Sequence, residues 1–126
     1  MSLRSPLGRV LGLGSARDGT GHWWTQRVTA VALLLLGSWF VVALLRIDGL
    51  TYLEVIRFVA RPLNAVLLAL LAITLSWHSF LGVQVVIEDY IHAPAAKLAW
   101  LLFSRFAHAF LAIASVYAIV VIGAGT

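Results

Sequence analysis

The sequence predicts an all-α integral membrane protein with three transmembrane helices and one short interfacial amphipathic helix. Of its 126 residues, 62% are hydrophobic and 11% are charged, whereas a soluble domain is about half apolar and about a quarter charged. Three apolar runs are each long enough to cross a bilayer, which takes about 20 helical residues. The chain therefore has too little polar surface to cover a water-soluble globule.

The residue types exclude several classes of site and partner. The chain has no cysteine, so it cannot supply a disulfide framework, a thiolate zinc site, iron–sulfur ligands or a cysteine nucleophile. Its net charge of +4 would point to nucleic acid in a soluble protein. Here the arginines stand in the N-terminal segment and at the ends of apolar runs. We therefore expect contacts with the lipid bilayer and its anionic headgroups, and no nucleic-acid partner.

The N-terminal segment, residues 1–26, is predicted to be an irregular tail. It is rich in glycine and arginine and shows no helical apolar period. Trp23 and Trp24 stand where an interfacial aromatic belt belongs. No signal peptide is expected, because the first apolar run begins only near Val28.

The transmembrane anchor domain is predicted over residues 27–122. Its first span, of about 19 residues, would be about 28 Å long at 1.5 Å per residue, close to the hydrocarbon thickness of a bilayer. The three spans are predicted over 27–45, 63–87 and 95–122. An odd number of spans places the two termini on opposite sides of the membrane.

The segment between the first two spans, 46–62, is predicted to be an amphipathic connector. Asp48 and Gly49 mark a turn. The apolar positions that follow at helical spacing are Tyr52, Val55, Ile56 and Val59, and the charged residues on other faces are Glu54, Arg57 and Arg61. This pattern is typical of a short helix lying on the membrane surface.

Basic residues near the span ends predict the orientation of the chain, because they are enriched on the cytoplasmic side. The two sets on opposite sides are Arg4, Arg9, Arg17, Arg27 and Lys97 against Arg46, Arg57 and Arg61. The larger set predicts a cytoplasmic N-terminus, a periplasmic C-terminus and a connector on the outer side.

His78 is predicted to lie deep in the second span, about 15 Å from its end. Ionisable groups at such depth are rare and usually face the bundle interior with a partner. A neutral imidazole there serves either as an interhelix hydrogen-bonding group or as a metal ligand, such as an axial ligand of haem. Gly82 and Asp89 share its helix face, and glycine on this face admits either a neighbouring helix or a large flat ligand.

Asp89 and Tyr90 follow at the inner membrane boundary. Tyr90 is either a belt residue or a phenol that donates a hydrogen bond to a carbonyl ligand from the lipid, with Asp89 tuning it or relaying protons. A quinone is such a ligand. Arg27, near the same surface, is either a positive-inside anchor or a partner of a bound anion such as a haem propionate.

Arg105 and His108 lie one helical turn apart in the third span. Antiparallel pairing of the second and third spans would place them at about the depth of His78. They are candidate partners of His78, a second contact to a propionate at the haem edge, or an interhelix polar seam against another subunit. His92 and His22 are predicted to be solvated, in the loop and the tail respectively.

Two motifs resemble one family of membrane proteins. The pattern 78-HSFLG-82 followed by 89-DY-90 resembles the hydrophobic membrane-anchor subunit of bacterial succinate dehydrogenase (respiratory complex II), the small cytochrome b-type subunit lettered D. The N-terminal stretch 8-GRVLGLGSARDGTGHWWTQRVTAVAL-33 is similar to the alphaproteobacterial form of that subunit. The resemblance covers nearly the whole chain.

The resemblance implies a role for four residues of this sequence. His78 matches an axial ligand to the iron of haem b, whose second ligand comes from the partner anchor subunit. Arg27 matches an arginine near the haem propionates. Tyr90 matches the tyrosine that hydrogen-bonds ubiquinone, with Asp89 beside it. Arg105 and His108 are not part of the family motif.

The resemblance also implies the surroundings of the chain. It would form its bundle with a second membrane anchor subunit in the bacterial inner membrane and dock an iron–sulfur subunit and a flavoprotein subunit. Succinate oxidation itself belongs to those two soluble subunits. The alternatives are an anchor of a quinol:fumarate reductase, which runs in the opposite direction, and a small structural or transport subunit without haem.

Overall fold

The computed structural model describes residues 19–125, and this range folds into helices joined by short turns. The four helices are α1 (Gly19–Leu45), α2 (Tyr52–Ala60), α3 (Pro62–Tyr90) and α4 (Pro94–Ala124). Three of them are long and apolar enough to cross a membrane: Thr20–Leu45, Pro62–Tyr90 and Pro94–Ala124. The predicted all-α class with three spans is confirmed, and the chain is a multi-pass membrane protein. The basic residues counted before Gly19 lie outside the described residues.

The helix α1 begins at Gly19, earlier than the sequence pattern predicts. Residues 19–26 were expected to be irregular and are instead helical. The first turns of this helix are supported by a local hydrogen bond, since the Thr25 hydroxyl donates to the carbonyl oxygen of Gly21 at 2.8 Å. They also place the partly buried side chains of His22 and Gln26 on one face, one turn apart.

The connector folds into α2 after a tight turn. Gly49 has a φ of +76°, a left-handed conformation that glycine adopts without steric cost. Thr51 caps the helix by accepting from the backbone N–H of Glu54 at 3.4 Å. Arg57 donates to Glu54 at 2.8 Å along the outer face. The predicted amphipathic helix is therefore present at the end of the bundle opposite Tyr90.

The helix α3 lies in the middle of the bundle. It packs against α1 on one side and α4 on the other, and α2 contacts α3 and α4. Among the described residues, only Leu81, Ile87 and Ser104 are buried, and each keeps a few per cent of its surface exposed. Most of the large apolar side chains face outward, as expected for a chain whose remaining surface is covered by lipid or by other transmembrane helices.

Candidate functional site

His78 lies on the face of α3 that packs against α1, where polar side chains approach both ring nitrogens. Its Nδ1 atom is 2.9 Å from the hydroxyl oxygen of Thr29. Its Nε2 atom is 3.5 Å from the amide nitrogen of Gln26. The ring is half-buried, so the structure brings this deep imidazole to a helix interface and not to the lipid-facing side.

The hydroxyl of Thr29 determines which nitrogen of His78 carries the proton. The hydroxyl oxygen lies 2.8 Å from the carbonyl oxygen of Thr25 and 3.1 Å from that of Gln26. Carbonyl oxygens only accept hydrogen bonds, and a hydroxyl has a single hydrogen to donate. The Thr29 hydroxyl therefore donates to the backbone and accepts from Nδ1–H of His78. This leaves the neutral ring with a lone pair on Nε2, the form that binds a metal ion.

The side chain of Gln26 fills the space beside Gly82 and Nε2 of His78. A Cβ atom at Gly82 would lie 4.0 Å from Gln26 Nε2, an ordinary van der Waals contact, so the amide lies next to the position that lacks a side chain. Gln26 Oε1 and His22 Nε2 are buried and have no hydrogen-bond partner among the described residues. A buried polar atom without a partner costs about 1–3 kcal/mol. This corner of the α1–α3 interface thus contains polar groups that a bound ligand can satisfy.

These residues fit the axial ligation of a haem, which the sequence resemblance implies. A haem-ligating histidine needs one nitrogen with a free lone pair and gains from a hydrogen bond on the other. His78 has both, and Gly82 stands one turn along the same face. Within residues 19–125 no three His, Asp or Glu side chains come together to hold a bare metal ion. Gln26 has to turn away from Nε2 for the iron to reach it.

His108 makes a separate polar contact on the other side of α3. Its Nδ1 atom is 2.7 Å from the carbonyl oxygen of Ser104, so Nδ1 carries a proton and donates it. Its Nε2 atom is 3.1 Å from the hydroxyl oxygen of Ser79. Both ring nitrogens are therefore engaged between α4 and α3. This contact joins α4 to α3 of the same chain, and the described hydrogen-bond partners of His108 do not include His78.

The two arginines of the predicted site lie away from His78. The guanidinium of Arg105 stands 5.9 Å from the ring centre of Phe80, so it reaches α3 at the predicted depth. The guanidinium of Arg27 stands 5.4 Å from the ring centre of Trp23 on its own helix. Arg27 is two positions from Thr29, about 200° around the helix. It therefore points away from the side of α1 that contacts His78.

Asp89 and Tyr90 end α3 at the membrane boundary, and both side chains are exposed. Tyr90 is 79% exposed, so its phenol is accessible to a partner or a ligand. The turn is held by the backbone of its neighbours: Lys97 donates to the carbonyl oxygen of Glu88 at 3.0 Å, and His92 contacts the carbonyl oxygen of Tyr90 at 3.2 Å. Tyr90 stands twelve residues after His78, about 18 Å along the helix axis.

Sequence reasoning missed three residues of the α1 side of the site. His22 was expected to be solvated, but it is half-buried and its Nε2 is fully enclosed. Gln26 and Thr29 were not singled out, although both contact His78. A signal was present, because His22, Gln26 and Thr29 recur at the spacing of one helix face. The early start of α1 hid it, since a tail was predicted where that face begins.

The comparisons of this sequence with known proteins agree on one family. The sequence matches the family described as "Succinate dehydrogenase/Fumarate reductase transmembrane subunit" over residues 1–122. It is 36% identical over 121 residues to the "Succinate dehydrogenase hydrophobic membrane anchor subunit" of Paracoccus denitrificans, covering 96% of this chain and 93% of that protein. The protein with the same name from Rickettsia bellii (strain RML369-C) is 38% identical over 88 residues, 70% of each chain. No solved structure matches the chain.

Proposed function

Because the chain belongs to the succinate dehydrogenase/fumarate reductase transmembrane subunit family, we propose that it anchors a succinate dehydrogenase in the membrane. In this function it holds haem b together with a second membrane anchor subunit and contributes to the site where ubiquinone is reduced. The iron–sulfur and flavoprotein subunits dock on the side of Tyr90 and deliver electrons from succinate. Both relatives named above are succinate dehydrogenase anchors. This supports electron transfer from succinate to quinone over the reverse reaction, the reduction of fumarate by quinol.

The observation that carries the proposal is the hydrogen bond from His78 to Thr29. It leaves the Nε2 lone pair of His78 for the haem iron and directs that nitrogen toward Gln26 on α1. Bound there, haem b supplies a one-electron carrier between the helices. The chain itself would contribute a ligating nitrogen of His78, held in one tautomer, and, at Gly82, a position without a side chain.

Arg27 and Arg105 have distinct proposed roles. Arg27 lies within one turn of Gln26 and Thr29 on α1, and its guanidinium rests on the exposed ring of Trp23, away from the side that contacts His78. Turning from Trp23 would free it to pair with a haem propionate, for which the guanidinium fork is suited. Arg105 contacts Phe80 and is assigned to the haem edge or to the helices of the partner anchor, whereas His108 joins α4 to Ser79 of α3.

The quinone site is proposed at the end of α3. The phenol of Tyr90 is exposed at the membrane boundary and donates a hydrogen bond to one carbonyl oxygen of ubiquinone. Asp89, also exposed and adjacent in sequence, relays protons from water. Reduction of the quinone to the quinol takes two electrons from the iron–sulfur subunit and two protons. The aqueous edge of the bundle is where such protons are available.

The orientation follows from the same proposal. The N-terminus and the α3–α4 turn lie on the cytoplasmic side of the bacterial inner membrane, and α2 and the C-terminus lie on the periplasmic side. This placement brings Tyr90 to the side of the soluble subunits. It also agrees with the excess of basic residues on that side of the sequence.

Purification of the complex through a tag on this chain tests the proposed function. We expect the flavoprotein, the iron–sulfur protein and a second three-span anchor to co-purify, with haem b in about equal amount and with succinate:ubiquinone reductase activity. Isolation of the chain without a flavoprotein partner would contradict the proposal. A complex that reduces fumarate with quinol but does not oxidise succinate would support the fumarate reductase alternative.

A further inference from the structure

A cavity lies at the end of the bundle opposite Tyr90. It has a volume of about 540 Å³, within the range of about 300–1,000 Å³ that small-molecule sites occupy. It is lined by the end of α1, the following turn, α2 and the first turn of α3, and it is partly open to the outside. The aromatic rings of Trp39 and Phe58, stacked at 6.2 Å, form part of its wall. None of the residues assigned to haem or quinone lines it.

The charged residues around this cavity favour an anion. Three arginines line it, Arg46, Arg57 and Arg61, against the two carboxylates of Asp48 and Glu54, which leaves one excess positive charge. Glu54 is paired with Arg57 at 2.8 Å. Arg46 and Arg61 make no ion pair with any described residue, and both are exposed. The cavity is therefore matched in charge to a singly charged anion.

The position of these arginines indicates the level of the lipid phosphates. Arg46 directly follows the last residue of the span in α1, and Arg61 directly precedes the first residue of the span in α3. Both thus stand where an apolar span meets water. Asn64, in the first turn of α3, also lines the cavity, so the positive end of that helix dipole contributes to the same surface.

An apolar groove begins one helical turn below the cavity. It has a volume of about 600 Å³ and runs over α3 between Phe40 of α1 and Leu111 of α4. Leu68 at its upper end follows Asn64 of the cavity by four positions, so the two lie on the same face of α3 about 6 Å apart along the axis. Leu71 and Leu75 continue the groove toward the membrane interior.

We propose that the cavity and the groove together bind one anionic phospholipid. Its phosphodiester pairs with Arg46 and Arg61 in bidentate, charge-assisted hydrogen bonds, and one acyl chain lies in the groove along Leu68, Leu71 and Leu75. The single excess positive charge selects a singly charged headgroup such as phosphatidylglycerol over a zwitterionic one. The site is on the face of the membrane opposite the quinone site and does not depend on haem.

Native mass spectrometry of the purified, delipidated complex tests the proposal. We expect phosphatidylglycerol to bind one copy per copy of this chain and to resist dissociation that strips phosphatidylcholine. Inorganic phosphate in large excess should not displace it, because the acyl chain contributes to binding. Equal binding of the two lipids, displacement by phosphate, or displacement by ubiquinone would each overturn the assignment.

Arginine variants locate the headgroup. Arg46→Gln and Arg61→Gln should each raise the apparent Kd for phosphatidylglycerol about fivefold, and the double variant about thirtyfold, because each arginine near a lipid surface adds about 1 kcal/mol. Lys97→Gln removes the same charge at the opposite end of the bundle and should leave the Kd unchanged. An equal effect of Lys97→Gln would show non-specific attraction and contradict the site.

Groove variants locate the acyl chain without changing the charge. Leu71→Trp fills the groove and should weaken phosphatidylglycerol binding. Leu70→Trp adds the same bulk to the neighbouring exposed position, which does not line the groove, and should not weaken it. Equal affinity of the two variants for phosphatidylglycerol would overturn the placement of the acyl chain in the groove. If the arginine variants fail to assemble, the lipid preference of the unmodified complex still decides the proposal.

Discussion

The Nδ1 atom of His78 on α3 lies 2.9 Å from the hydroxyl oxygen of Thr29 on α1. That hydroxyl is itself bound to the backbone carbonyl of Thr25 at 2.8 Å. The chain of two hydrogen bonds connects a deep imidazole to the backbone of a neighbouring helix. It fixes the ring orientation and the tautomer of His78 before any ligand binds. In metal sites, a hydrogen bond to the second ring nitrogen orients a ligating histidine in the same way.

Removing the Thr29 hydroxyl should weaken haem binding without abolishing it. Thr29→Val keeps the side-chain shape but leaves Nδ1–H of His78 without an acceptor. Loss of such a supporting hydrogen bond typically costs 10–100-fold in metal affinity. We expect faster haem loss and an altered haem midpoint potential, measured by redox titration of the purified complex. Thr29→Ser keeps the hydroxyl and should restore both, whereas identical potentials in the valine variant and the unmodified protein would contradict the role.

The room beside Gly82 should be needed for haem and not for folding. A Cβ at this position meets only Gln26, at 4.0 Å, so Gly82→Ala should assemble normally. Gly82→Leu projects a larger side chain toward Gln26 and Nε2 of His78, and the haem content of the assembled complex should fall several-fold. Haem content is measured by pyridine haemochrome absorption. Full haem content in the leucine variant would show that Gly82 serves helix packing alone.

Tyr90 should be needed for quinone reduction and not for succinate oxidation. Tyr90→Phe removes one hydrogen-bond donor at the membrane boundary and should lower the ubiquinone reductase rate about tenfold or more, since a single such bond is worth about 1.5 kcal/mol. Succinate oxidation with an artificial dye acceptor should persist. Tyr52→Phe is a matched control, because Tyr52 is 82% exposed at the opposite end of the bundle. Equal loss in both assays would remove Tyr90 from the quinone site.

The contact between His108 and Ser79 should stabilise the bundle without affecting haem. Ser79→Ala removes the hydroxyl that meets Nε2 of His108 at 3.1 Å. Hydrogen bonds between transmembrane helices contribute about 0.6 kcal/mol on average, so the free energy of unfolding should fall by about that amount. Ser38→Ala, whose hydroxyl donates within its own helix at 2.6 Å, provides the comparison. A changed haem spectrum in the Ser79 variant would assign the pair to the haem edge.

Composition and apolar run length were sufficient to predict the helices, and helical periodicity was sufficient to predict α2. Both properties can be read from a short stretch of sequence. A long apolar run that crosses a bilayer forms a helix because its backbone N–H and C=O groups find no water to bind there. The start of α1 was predicted too late, because its first two turns carry polar residues, of which Gln26 contacts His78 on α3. In those turns, contact with a neighbouring helix overrides the absence of an apolar period.

The candidate site was predictable only on the α3 side. His78 stands out because an ionisable residue deep in an apolar run is costly, and Tyr90 stands out at the end of that run. Thr29 and Gln26 are ordinary polar residues near a span end, and only the packing of α1 on α3 shows which nitrogen each one faces. Arg105 and His108 were placed at the correct depth by antiparallel pairing, but their partners, Phe80 and Ser79, required the structure.

The reduced-minus-oxidised absorption spectrum of two histidine variants tests the central claim most directly. His78 and His108 lie on opposite sides of α3, but Nε2 of His108 is engaged by the Ser79 hydroxyl at 3.1 Å, whereas Nε2 of His78 has only the Gln26 amide nitrogen near it, at 3.5 Å. In the purified complex, His78→Ala should lose or strongly shift the b-type signal, and His108→Ala should retain it. A b-type signal that survives His78→Ala unchanged would contradict the account.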